Sequence, residues 1–235
     1  MVDILAIAAH PDDVEQTCGG TLIRMQEQGY RTGVLDLTAG EMGSRGTPEM
    51  RLQEAERAAA VMRLTWRGNV KFPDARLENS ISARMTLAYE IRQQKPRVVI
   101  IPYWQARHPD HYRAGELAYE ACFLAGLRKL DEYSEPHRPF KIIYSSIYAN
   151  VTPSFVVDIS AQFERRMNAL LCYESQYGAN PDASDLFPPT EEVRDRHAAV
   201  ARFYGNLIGV KYGEPFVVKE TMRVDDVVAL PVRSL

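Results

Sequence analysis

The chain reads as an α/β protein, a doubly wound, mostly parallel sheet with helices on both faces. Three observations predict this. Apolar, β-branched runs alternate with helix-like segments through the first half. The runs at residues 4–9 and 98–102 are continuous, the pattern of strands buried on both faces. With 235 residues, 46% hydrophobic and 25% charged, the composition suits one domain, residues 1–235, with a sizeable core.

Residues 4–9 form the first strand, and residues 19–28 form a helix that Gly29 stops. Residues 33–38 read as the second strand. Thr47 then serves as an N-cap before Pro48 at the first helical position, opening an amphipathic helix to about Met62. A short third strand is expected at 70–72 and a helix at 81–94, with the fourth strand at 98–102. In the common doubly wound order the first and fourth strands lie side by side at the topological switch point. Ligands bind there, beyond the carboxyl ends of the strands. The second half predicts strands at 142–148 and 155–158, helices at 159–173 and 191–208, and a last strand at 216–218. Asn180-Pro181-Asp182 and Pro188-Pro189 mark a loop long enough to form a lid.

A formal charge of −3, without a basic tail, argues against a nucleic-acid partner. No apolar run approaches the roughly 20 residues that span a bilayer, so no membrane partner is expected. Asp3 stands where a signal peptide would carry a basic residue. Cys18, Cys122 and Cys172 are too widely spaced for a disulfide framework or a thiolate cluster. The cytoplasm is the expected address.

The two densest polar clusters follow the first and fourth strands. Ala9-His10-Pro11-Asp12-Asp13-Val14-Glu15 offers a histidine and two carboxylates, and Arg107-His108-Pro109-Asp110-His111 offers two histidines flanking an acid. Such nitrogen and oxygen donors suit zinc, and iron(II) or another divalent ion fits the same donors. A catalytic zinc keeps three protein ligands and a position for water. His10, Asp13 and His111 make that set, leaving Asp12 as general base. His108 would face the other side of a substrate carbonyl, oriented by a carboxylate such as Asp110. The bland alternative is that Asp12 or Asp13 caps a helix and Pro11 and Pro109 form turns.

Together these motifs resemble the signature of the LmbE-like (PIG-L) N-acetylglucosaminyl deacetylases. Further segments resemble the bacillithiol-biosynthesis branch: Leu37-Thr38-Ala39-Gly40-Glu41, Pro73-Asp74, Pro136-His137-Arg138, Tyr173-Glu174-Ser175-Gln176 and Tyr212-Gly213-Glu214-Pro215-Phe216. The resemblance implies a zinc hydrolase of Rossmann-like fold with ligands His10, Asp13 and His111, base Asp12, and a His108–Asp110 pair. It implies N-acetylglucosaminyl malate as substrate, with N-acetylglucosamine or short chitin fragments the substrates of relatives, and a trimer or hexamer. The chain departs from some relatives in lacking a tyrosine within Pro188-Pro189-Thr190-Glu191-Glu192-Val193. The oxyanion load then falls on zinc and His108, or on a donor such as Tyr177.

Arg51, Arg107 and Arg138 are candidates for holding the sugar or its malate, since a guanidinium matches a carboxylate in two hydrogen bonds. Arg51 follows the Gly43-Ser44-Arg45-Gly46 loop that could close over the site; a surface arginine is the competing reading. His197 reads as part of a solvated helix face and Cys18 as a packing residue. A dinucleotide-binding oxidoreductase is disfavoured because His-Pro-Asp-Asp replaces G-x-G-x-x-G after the first strand. A non-catalytic metal- or sugar-binding module would lack a base, whereas Asp12 is present.

Overall fold

The first strand, β1 (Ile4–Ala8), is buried along its whole length, and its side chains divide between two cores. Leu5 and Ile7 join Leu35, Val99, Ile101 and Tyr144 on one face, under the helices Ile81–Gln94 and Pro109–Ala125. Ile4, Ala6 and Ala8 join Val34, Ile100 and Met62 on the other. Alternation of side chains along a strand gives this division, and it explains why the sequence shows an unbroken apolar run. The computed structural model describes residues 1–131, 133–146, 150–178 and 190–232.

The elements then follow in order: α1 (Asp13–Thr17), α2 (Gly19–Glu27), β2 (Thr32–Asp36), α3 (Pro48–Met62), β3 (Trp66–Asn69), α4 (Ile81–Gln94), β4 (Val98–Pro102) and α5 (Pro109–Ala125). The second half supplies β5 (Lys141–Ser145), β6 (Phe155–Asp158), α6 (Phe163–Leu170), α7 (Glu174–Tyr177), α8 (Thr190–Asn206) and β7 (Gly213–Val217). The seven strands form one sheet in the order β3-β2-β1-β4-β5-β7-β6. Strands β1 to β5 pair in parallel, and β7 runs antiparallel between β5 and β6. The doubly wound, mostly parallel α/β class expected from the sequence is the one observed. β1 and β4 are neighbours, pairing Ile4 with Val98 and Ala6 with Ile100.

Several boundaries differ. The third strand lies at Trp66–Asn69 rather than 70–72. Arg67 and Asn69 obscure it in sequence; Arg67 is satisfied on the sheet by Asp36 and Glu15, at 2.8 and 2.6 Å. Val70 and Phe72 still donate to Asp36 and Leu37, but Lys71 between them has φ 56° and ends the extended run. The helix expected at 159–173 begins at Phe163, because the Asp158 carboxylate accepts from Ser160 N and Oγ and holds a turn ahead of it. The short α1 is too brief to show a helical period in the sequence. The loop expected at 180–189, and the end of the strand expected at 142–148, lie outside the described residues.

α5 carries a small-residue face, Ala114, Gly115, Ala118, Ala121 and Ala125, and therefore packs close to the sheet. A Cβ on Gly115 would sit 2.3 Å from the Pro102 carbonyl oxygen. That contact brings the N-terminus of α5 to the carboxyl end of β4, next to the end of β1.

A candidate metal centre at the switch point

The turn after β1 folds on itself. Asp13 carboxylate oxygen Oδ2 accepts from the His10 backbone N–H at 3.0 Å, and Asp12 is forced to φ 99°. A non-glycine residue in that region is strained, and such strain concentrates at functional sites. Opposite, His108 caps α5 and Pro109 takes its first position. His10, Asp12, Asp13, Asp110 and His111 are all buried, while His108 is exposed. The ring centroid of His108 lies 4.9 Å from those of both His10 and His111.

Asp13 stands between two histidines: Oδ2 is 3.4 Å from His10 Nδ1, and Oδ1 is 3.3 Å from His111 Nε2. These separations are long for charge-assisted hydrogen bonds, which run about 2.7–2.9 Å. They run from different oxygens of Asp13, so one carboxylate reaches both imidazoles, the nitrogen and oxygen donors that suit a divalent ion. The donor set therefore fits a divalent ion. Among the described residues, the groupings of three whose ligand atoms all lie within 4.8 Å of one another are His10 with His108 and His111, and His10 with Asp74 and Asp110. The second is better read as an orienting shell. His10 Nε2 bonds Asp74 Oδ1 at 2.9 Å and lies 3.7 Å from Asp110 Oδ2, which leaves Nδ1 to face Asp13. A carboxylate on the far nitrogen of a ligating histidine fixes its tautomer.

The carboxylates differ in electrostatics. Burial pushes Asp13 up, but His111 and His10 overcome it and hold it well below the usual range. Burial raises Asp12 to about 6, assisted by the Asp13 charge and opposed by Arg51 and Tyr177. Burial likewise opposes ionisation of Asp74, yet its bond to His10 brings it down to about 2. Burial would depress His10, and the carboxylates of Asp110, Asp13 and Asp74 lift it well above 6.5 instead; a cation at Nδ1 would displace that proton. His108, exposed at its rim, is lowered by partial desolvation and by the charges of His10 and His111.

Four sequence expectations need correction. Asp110 does not orient His108 through its carboxylate. Its backbone N–H donates to His108 Nδ1 at 3.2 Å, while its Oδ2 accepts from Ala75 N at 2.7 Å and faces His10. Helix geometry causes this: the first N–H groups of α5 are free to meet the cap, whereas the carboxylate points into the core. Arg51 is not set out for a substrate anion. It is 6% exposed, and its NH2 donates to the Pro11 carbonyl at 2.6 Å and to Asp12 Oδ1 at 3.3 Å. Arg138 is not brought to the site. It packs over Phe123 and donates to its carbonyl, at the opposite end of α5. His197 is not on a solvated face, since it is partly buried 3.4 Å from Arg166. Arg107 is exposed, one residue before His108.

Asp74 and Glu41, which stand in segments that resemble the family, take roles that the sequence does not specify. Asp74, buried beyond β3, orients His10; an acid just past a strand's carboxyl end was the available signal. Glu41 in turn accepts from the Asp74 backbone at 2.7 Å.

Fold and site together define a class: a doubly wound protein with a His–Asp–His cluster and a second buried carboxylate at its switch point. Comparison with known proteins agrees. The profile of the PIG-L family, described as GlcNAc-PI de-N-acetylase, matches residues 5–122, and the chain belongs to that family. It is 29% identical over 226 residues to a diacetylchitobiose deacetylase of Thermococcus kodakarensis, covering 90% of this chain and 80% of that one. Among solved structures, the conserved protein TT1542 of Thermus thermophilus superposes with TM-score 0.86 at 42% identity, covering 96% and 98% of the two chains. The N,N'-diacetylchitobiose deacetylase of Pyrococcus horikoshii superposes with TM-score 0.79 at 27% identity, covering 92% and 82%. The chain is thus a hydrolytic enzyme of a deacetylase family.

Proposed function

We propose that this chain removes the acetyl group from the nitrogen of an N-acetylglucosamine-type sugar, releasing acetate and the free amine. The observation that carries this reading is Asp13 standing 3.4 and 3.3 Å from His10 and His111 beside the second buried carboxylate, Asp12. A divalent ion there, zinc in this proposal, supplies Lewis-acid polarisation of the amide carbonyl and acidifies water. Asp12 takes the proton of the attacking water on a carboxylate oxygen. With its pKa raised to about 6, it is mostly ionised at pH 7 and is a good enough acid to return that proton to the leaving nitrogen. His108 accepts the Asp110 N–H at Nδ1, so its own proton sits on Nε2, where it faces the substrate as a donor. Asp74 and Asp110 keep His10 turned with Nδ1 forward.

The finer substrate in this proposal is N-acetylglucosaminyl malate in bacillithiol biosynthesis, with Arg107, exposed one residue before His108, meeting its carboxylates. A second reading, an N-acetylglucosamine or chitooligosaccharide deacetylase, is favoured by a specific observation. Arg51 and Arg138, two of the three arginines assigned to malate, are engaged by Pro11 and Asp12 and by Phe123, and two of the three relatives are named as diacetylchitobiose deacetylases. The cytoplasm and a trimer or hexamer belong to the proposal too. Among the described residues no helix is long and apolar enough to cross a membrane. The exposed stripe Val200, Phe203 and Leu207 along and just beyond α8 offers an apolar surface for assembly. Acetate release from the malate glycoside, N-acetylglucosamine and diacetylchitobiose, on zinc-loaded and chelated protein, tests the reading. Zinc-dependent release supports it and its preference names the branch; no release from any of them removes it.

A further inference from the structure

We propose that Tyr177 is a positioning residue for the catalytic carboxylate, forming with Arg51 a two-sided clamp on Asp12. The proposal rests on the functional reading above. The Tyr177 hydroxyl donates to Asp12 Oδ2 at 2.6 Å, and Arg51 NH2 meets the other oxygen, Oδ1, at 3.3 Å. One donor on each oxygen stops the carboxylate from rotating. Each oxygen keeps a further lone pair, where a water's proton is received. The 2.6 Å contact is in the short range of hydroxyl–carboxylate bonds.

The clamp is held as a unit. α7 is a single turn and has no intrinsic stability. Glu54 secures it, accepting from Ser175 N at 2.7 Å and from Ser175 Oγ at 2.6 Å. Glu54 lies three residues after Arg51 on α3, so both side chains project from one face of that helix. α3 therefore supplies one jaw directly through Arg51 and anchors the other through Glu54, α7 and Tyr177. The glycine-rich loop grips α7 from the other side. Gln176 Nε2 donates to the Arg45 carbonyl at 3.0 Å, and a Cβ on Gly46 would stand 2.8 Å from Ser175 Cβ. A shift of that loop is thereby passed to the hydroxyl on Asp12. Tyr177 is thus engaged on the base, not set apart as an oxyanion donor.

Tyr177→Phe removes the hydroxyl and keeps the ring. With the sugar that the wild type turns over, kcat is expected to fall by about tenfold or more, KM to stay within about twofold, and metal content to be unchanged. In an Asp12→Asn background the same change should cost nothing further, because the coupling partner is gone. A raised KM with kcat kept would make Tyr177 a substrate contact. A lowered Tm with kcat kept would make it packing. Either result overturns the clamp. A readout without turnover separates this from the substrate assignment. In protein labelled with 13C at tyrosine Cζ, the resonance missing from Tyr177→Phe should shift in Asp12→Asn. A resonance that stays put overturns the clamp even if a sugar is deacetylated; one that moves upholds the contact even if no N-acetyl sugar is a substrate and the functional reading falls.

Discussion

Asp12 and Asp13 are adjacent, chemically identical and both buried, yet their surroundings divide their roles. Asp13 lies between His10 and His111, which stabilise its charge against burial; burial raises Asp12 to about 6, although Arg51 and Tyr177 oppose it. Asp12→Asn should therefore retain the metal, measured by elemental analysis, while turnover falls by about 10²–10⁴, since an amide cannot take the water's proton. Near-normal turnover in that variant would sink the base assignment. Asp74 acts at one remove. Replacing it with Asn lets the His10 ring turn and should weaken metal affinity by about 10–100-fold, read by competition with a chromogenic chelator. Equal affinity would mean that Asp110 alone suffices to hold the ring.

At the scale of elements, the site depends on how closely α5 approaches β4. Gly115→Ala would drive a methyl against the Pro102 backbone carbonyl, which cannot move as a flexible side chain would. A loss of about 1–3 kcal/mol in urea unfolding is expected; an unchanged midpoint would show that α5 can shift outward. The packing of α8 on α6 introduces a pH dependence. Burial, then the Arg166 charge, lowers His197 from 6.5 to about 3. The unfolded chain takes up a proton below pH 6.5 and the folded chain does not until near pH 3. Stability from this residue is thus complete above 6.5 and falls as the pH drops, by about 1.4 kcal/mol per pH unit at the limit. His197→Gln should flatten the acid side of the stability curve relative to wild type. Parallel curves would show that the histidine is already protonated in the fold.

For the molecule as a whole, an ion held by His10, Asp13 and His111 would link metal binding to folding, because those residues lie about 100 positions apart in the chain. An ion that binds only the folded chain adds about 2.7 kcal/mol at 100 times its Kd. Restoring zinc to stripped protein should then raise Tm by roughly 5–10 °C for a chain of this size. A melt indifferent to zinc and to chelator would mean that the cradle does not bind it.

What the sequence determined by itself was local or periodic. Buried strands announce themselves as apolar runs, so β1 and β4 and the class of sheet could be read before any coordinates. His10 with Asp12 and Asp13, and His108 with Asp110 and His111, stood out because each cluster directly follows one of those strands. The tertiary structure decided the partners. Asp110 turns to His10 and not to its neighbour His108, Arg51 is drawn inward onto Asp12, and Arg138 stays at the far end of α5. Asp74 and Tyr177 reach the site from distant parts of the chain. The physical reason is that composition and period record which face of an element is buried. Which donor meets which acceptor depends on packing distances and rotamers set by other elements, and a β3 rich in polar residues or a one-turn α7 carries no period at all.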